Sequence, residues 1–208
     1  MYLSRIHLAL NSRDTMLALV RSNRFHEALD CCFSGGRTRN LWRIDSLNNG
    51  LYLLILSHEK PDFSSFCKKF AESESAWESK DYSVLLNRLK NGDIWRFRLT
   101  ANPTRSVPFQ KDKKRGDVQA HITPEHQRQW LLKRAEKHGF YLSEDDFNVI
   151  ENKWRRFYKK DRKTVTLLSA TYEGILKITD VNLFSEVLVN GLGRGKAYGM
   201  GLLTIVRA

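Results

Sequence analysis

Histidine is the side chain whose free pKa lies nearest neutral, so the six in this 208-residue chain are its first candidates for proton transfer. His26 has the most favourable setting. Ser22 and Asn23 form an N-cap signal, so RFHEALDCCF (24–33) reads as a helix with His26 in its first turn. The unpaired N–H groups of a helix start attract phosphate, and Arg21 and Arg24 flank the imidazole as cationic grips. A proton carrier in that company suits chemistry at a phosphate ester. A histidine that merely packs at a half-buried helix position would look the same. The other five read as structural. His7 alternates within a strand and His58 ends one. His121 and His126 straddle a helix start at a spacing of five, and His138 precedes Gly139. No cysteine or carboxylate cluster joins them, so neither a metal nor another cofactor is expected.

The second unusual stretch is GLGRGKAYGMGLLTIV (191–206), with five glycines in eleven positions and two cations among them. A phosphate loop of the G-x-x-x-x-G-K-[ST] kind is excluded. Asn190 stands where its first glycine belongs, Ala197 follows the lysine, and a strand rather than a helix comes next. The dinucleotide pattern G-x-G-x-x-G fails at Lys196 and at Tyr198. What remains is a helix-to-strand turn whose bare backbone passes close to a neighbour. Its N–H groups could hold phosphate, with Arg194 and Lys196 adding charge. A purely structural turn is the alternative.

Positive charge is concentrated in two further places. ENKWRRFYKKDRK (151–163) carries seven basic and two acidic side chains, with Trp154, Phe157 and Tyr158 interleaved. Read as a hairpin, it crowds Arg155, Arg156, Lys159, Lys160, Arg162 and Lys163 near its tip. The major groove of A-form RNA is too narrow for most side-chain readout, and a thin ribbon entering at a helix end is one way in. A solvated charge run with the aromatics as its core face is the other reading. KDKKR (111–115), with Lys113, Lys114 and Arg115, lies in a segment rich in proline and poor in apolar residues.

These side chains need a scaffold. YLSRIHLAL (2–10), NLWRI (40–44), LYLLIL (51–56) and IWRFRLTA (94–101) read as strands, with helices from Asp14, over 24–33 and over PDFSSFCKKF (61–70). The last has Phe63, Phe66, Cys67 and Phe70 on one face. Residues 102–119 read as a basic linker. Thr123-Pro124 opens a helix that Gly139 closes, two long strands follow over 147–160 and 163–178, and Asp180 caps a last helix. The expected fold class is α+β: two tandem ferredoxin-like βαββαβ domains, 1–101 and 120–208, with a basic surface between them.

Bulk composition agrees. Apolar residues make up 41% of the chain, enough for a core. The net charge is +12, uneven along the chain: 15 basic against 11 acidic residues in 1–104, and 20 against 12 in 105–208. A polyanion is the first partner to expect, nucleic acid ahead of a membrane. The longest apolar run is too short to span a bilayer. The N-terminus lacks the order of a signal peptide, and three cysteines make no disulfide framework. A reducing cytoplasm is the expected location.

The stretch GRGKAYGMGLL (193–203) at the C-terminus, G-x-G-x-x-x-G-x-G-L-L, resembles the glycine-rich loop of the repeat-associated RNA-binding (RAMP) superfamily of CRISPR systems. MYLSRI at the start, WRFRLTANPT at 95–104 and TYEGIL at 171–176 are similar, in the same order, to the CasE branch of type I-E (Cascade) systems. The resemblance runs the full length. It implies an endoribonuclease that needs no metal and binds a CRISPR repeat stem-loop. It implies cleavage at the base of the stem, and a protein that stays on its product with other subunits of a Cascade-type complex. The protein alone is expected to be monomeric. The family's catalytic histidine falls on His26. Some members carry a tyrosine three residues earlier, where this chain has Asn23. That leaves Ser34 or Lys196 as partner, or His26 with its phosphate grips alone, and slow, nearly single-turnover cutting is expected. A related subunit that binds RNA without cutting is one alternative. An unrelated ferredoxin-like RNA or protein binder is another, although IWRFRL only loosely matches the aromatic signatures of such modules.

Overall fold

The computed structural model describes residues 1–20, 23–33, 40–47, 50–107, 117–158 and 164–208. Its elements in chain order are β1 (Tyr2–Leu8), α1 (Arg13–Val20), α2 (Asn23–Asp30), β2 (Leu41–Leu47), β3 (Gly50–Ser57), α3 (Ser64–Phe70), β4 (Trp77–Asp81) and α4 (Ser83–Leu86). There follow β5 (Ile94–Ala101), β6 (Thr104–Ser106), β7 (Val118–Ala120), α5 (Pro124–Ala135), β8 (Phe140–Tyr141), β9 (Phe147–Tyr158), β10 (Thr164–Ile178), α6 (Val181–Asn190) and β11 (Leu203–Arg207). They form two ferredoxin-like units. The first comprises Met1–Leu89, Arg156–Val165 and Lys196–Leu202; the second comprises Lys90–Arg155, Thr166–Gly195 and Leu203–Ala208.

The first unit is built on an antiparallel sheet in the order β2-β3-β1-β4. Alternation dictates its two faces. Ile6 and Leu8 of β1 and Leu53 and Ile55 of β3 are buried under the helices, whereas Arg5 points outward and pairs with Glu78 at 2.7 Å. The helices return Ala18, Phe25, Leu29, Phe66 and Phe70 to the same core. Phe63, Phe66, Cys67 and Phe70 are all buried, on the face their spacing predicts. Each fully buried phenylalanine or leucine contributes roughly 1.5–3 kcal/mol of transfer free energy.

One strand is assigned differently from the sequence reading. IWRFRLTA was expected to close the first domain, but β5 lies in the second sheet, ordered β11-β5-β10-β8, with β9 also paired to β10. Phe97, Leu99 and Ala101, two residues apart on one face of β5, are buried there, and β5 pairs with β10 on one side and β11 on the other. The fourth strand of the first sheet is WESKD, paired to β1 with Ile6 opposite Trp77. The expected linker 102–119 belongs to the second unit, where β6 and β7 pair as a short ribbon; residues 108–116 lie outside the described residues.

Local signals in the second unit behave as expected. Thr123 caps α5 with Pro124 following, Gly139 takes a left-handed conformation (φ 73°), and the Asp180 carboxylate accepts from the N–H groups of Asn182 (2.9 Å) and Leu183 (3.1 Å). At Gly174 in β10 the chain just before β9 crosses so closely that an added Cβ would meet the Asp146 carbonyl oxygen and the Phe147 Cβ, the latter at 2.4 Å. A Gly174→Ala protein should lose about 1–3 kcal/mol, a fall in Tm of roughly 2–12 °C in thermal unfolding. An unchanged Tm would refute that close approach.

Candidate active site

Helix α2 is amphipathic over two turns. Phe25 and Leu29, four residues apart, face the core, and this fixes where the remaining side chains fall. Phe25 sits among aromatic rings at centroid distances of 5.3 Å (Phe70), 6.0 Å (Phe66) and 6.4 Å (Trp42). That anchor places the next residue, His26, at the rim of the helix. The histidine side chain is 40% exposed, in the first turn of a helix that starts at Asn23.

Its Nδ1 lies 3.7 Å from Oδ1 of Asp30, one helical turn on. A carboxylate on that side of the ring leaves Nε2 as the nitrogen open to solvent and substrate. Asp30 was missed in the sequence, although the i,i+4 spacing on an expected helix is a readable signal. Arg24 is half exposed and ion-pairs with Asp14 of α1 at 3.8 Å, so it would exchange that carboxylate for a phosphate. Arg21 lies outside the described residues, as does Ser34.

The glycine stretch divides. All five of its glycines, at 191, 193, 195, 199 and 201, have φ between 72° and 90°. Lys196–Tyr198 forms a 3₁₀ turn in the first unit, against α2 and β2. This brings half-buried Lys196 to the His26 helix, together with Tyr198, which the sequence reading had passed over. The Tyr198 ring packs on that of Phe157, centroids 4.4 Å apart. Arg194 is exposed in the second unit, its backbone bridged to Asn102.

The basic hairpin also divides. Phe157 is buried and Arg156 is exposed beside it, both in the first unit; Trp154 is 54% exposed in the second. Trp154 and Phe157 therefore do not share one buried face. Arg155 is largely buried, 4.0 Å from Glu151, and burial pulls its guanidinium below the usual arginine pKa. It reads as a scaffold residue more than a surface grip. Lys159, Lys160, Arg162, Lys163, Lys113, Lys114 and Arg115 lie outside the described residues.

His121 and His126, too far apart in spacing for one helix face, meet with ring centroids 5.8 Å apart because His121 precedes α5, and Thr123 Oγ1 lies 2.8 Å from His126 Nδ1. Burial, then the neighbouring His126 and Arg105, lower the His121 pKa, which favours a neutral ring. Burial pushes the Cys32 and Cys67 thiols up to about 12 and about 11, so neither is a ready nucleophile. Among the described residues, no three His, Cys, Asp or Glu side chains gather as metal ligands, and no helix is long and apolar enough to cross a membrane.

The chain resembles the CRISPR-associated endoribonuclease Cse3 of Thermus thermophilus, with 28% identity over 221 residues covering 99% of each chain. Among solved structures it is similar to Cse3 bound to a 19-nucleotide RNA (27% identity, TM-score 0.82, 99% of this chain and 100% of that one). It is also similar to Thermus thermophilus Cse3 bound to an RNA representing a pre-cleavage complex (26% identity, TM-score 0.81, 99% and 98%). The family described as CRISPR associated protein matches residues 1–207. That match runs from the first strand of one ferredoxin-like unit to the last strand of the other, so this chain belongs to the CRISPR associated protein family.

Proposed function

We propose that the protein is a metal-independent endoribonuclease that binds the stem-loop of CRISPR repeat RNA and cuts at the base of the stem. It then retains the product within a Cascade-type complex. The observation that carries the reading is His26: half exposed at a helix start, its Nδ1 3.7 Å from the Asp30 carboxylate, with Lys196 on the turn packed against the same helix. The likeness to Cse3, whose structures hold RNA, supports it.

The chemistry uses the substrate's own 2′-hydroxyl. A base removes its proton, the oxygen attacks the adjacent phosphorus, and the 5′-oxygen leaves with a proton. The products are a 2′,3′-cyclic phosphate and a 5′-hydroxyl. An imidazole suits either transfer. Arg24 and Lys196 supply positive charge for the phosphate, and Arg156 meets the stem; Arg21, Lys113, Lys114, Arg115, Lys159, Lys160, Arg162 and Lys163 are further candidate contacts by sequence, with Arg194.

Incubating the protein with a repeat stem-loop in EDTA tests this. Cutting that leaves a cyclic phosphate is the expected outcome. Stem-loop RNA that is bound yet intact would make the protein a non-catalytic RNA-binding subunit, the reading that the absent tyrosine at position 23 favours.

A further inference from the structure

β2 is one of the two edge strands of the first sheet, and two consecutive residues of it hold the end of the glycine stretch from opposite faces. On one face, Arg43 and Asp45 form an ion pair that is 1% and 3% exposed. Arg43 Nε donates to Asp45 Oδ1 at 2.8 Å and Nη2 donates to Oδ2 at 2.7 Å, a two-pronged fit. The third arm of the guanidinium, Nη1, donates at 2.7 Å to the main-chain carbonyl of Leu202, which is 159 residues further along the chain. On the other face, the Trp42 ring lies so close to Gly199 that a Cβ there would come within 2.6 Å of it, at a φ of 76°. Segment 199–202 thus straddles the strand, directly after the Lys196–Tyr198 turn that lies against α2.

A buried ion pair is a poor source of stability. Removing two charges from water is costly, and apolar replacements of similar size are often neutral or better. What this pair does supply is a rigid donor for one particular carbonyl. Asp45 fixes the plane of the guanidinium, and the guanidinium fixes Leu202.

We propose that the Arg43–Asp45 pair is a latch that sets the Lys196–Tyr198 turn beside the His26 helix, making Arg43 a positioning residue for RNA cleavage that does not touch RNA itself. The proposal rests on the endoribonuclease reading above. Neither residue is exposed, so the latch acts only through the turn it holds.

The test compares single-turnover cleavage, stem-loop affinity and Tm for the parent, Arg43→Met/Asp45→Leu, Lys196→Ala and the triple combination. The double change removes both charges together and leaves no lone buried ion. It should keep cooperative melting and bind the stem-loop within about 3-fold of the parent, but cut at least about 10-fold more slowly. Lys196→Ala should then cost less in the latch-free background than in the parent, because the lysine is already misplaced. A folded double variant cutting at the parental rate, or strictly additive effects, would overturn the latch. If the double variant does not fold, Arg43→Lys gives the same comparison: it keeps the charge but loses the fork, and parental cutting by it would overturn the proposal. If the parent itself does not cut, the endoribonuclease reading fails first. The latch is then judged by amide hydrogen exchange: Arg43→Lys should speed exchange in 196–202 and not in α3, and unchanged exchange would reject it.

Discussion

The His26→Ala protein should bind a repeat stem-loop as tightly as the parent yet cut it at least about 10²-fold more slowly, roughly the loss that follows removal of an acid–base group. The imidazole is 40% exposed, so its removal opens no cavity in the core, and Tm should stay within the small range of surface substitutions. Binding should persist because a polyanion is held mainly by cationic side chains, which the substitution leaves in place. Single-turnover rates and filter-binding affinities on the same RNA separate the two quantities. Equal cutting by the variant would remove His26 from the mechanism, and lost binding would make it an RNA contact rather than a proton carrier.

The neighbouring residue should behave in the opposite way. Phe25→Ala should cost about 3–5 kcal/mol of stability, the range for truncating a fully buried aromatic side chain. The ring is completely buried against Trp42, Phe66 and Phe70. Urea unfolding should show an earlier midpoint. A loss under about 1 kcal/mol would mean that α2 is not anchored as described, and the placement of His26 would fall with it. Residues 25 and 26 thus face opposite ways on one helix: an inward ring anchors it, and an outward ring is left half exposed.

Much of this was legible in the sequence because it is local. The α2 periodicity, the Phe63–Phe70 face of α3, the Thr123-Pro124 start of α5 and the Asp180 cap each depend on residues within a few positions of one another. The family motif was legible too, since five glycines with positive φ leave a pattern that tolerates few replacements. β4 was not legible: WESKD is a half-exposed edge strand with little apolar alternation, so its sequence resembles a loop. Without it, IWRFRLTA was assigned to the wrong sheet. An alternating apolar strand announces that it will pair, and with which face inward, but not with which partner.

The sequence by itself determined two ferredoxin-like halves, a basic chain suited to RNA, and an imidazole at the start of an early helix. Only the tertiary structure decided that Lys196 and Tyr198 return from the far end of the chain to the same helix, and that Arg43 grips Leu202. The physical reason is range. Helix faces and caps follow from neighbours a turn away, whereas a contact spanning 159 residues exists only once sheet order has brought the two segments together.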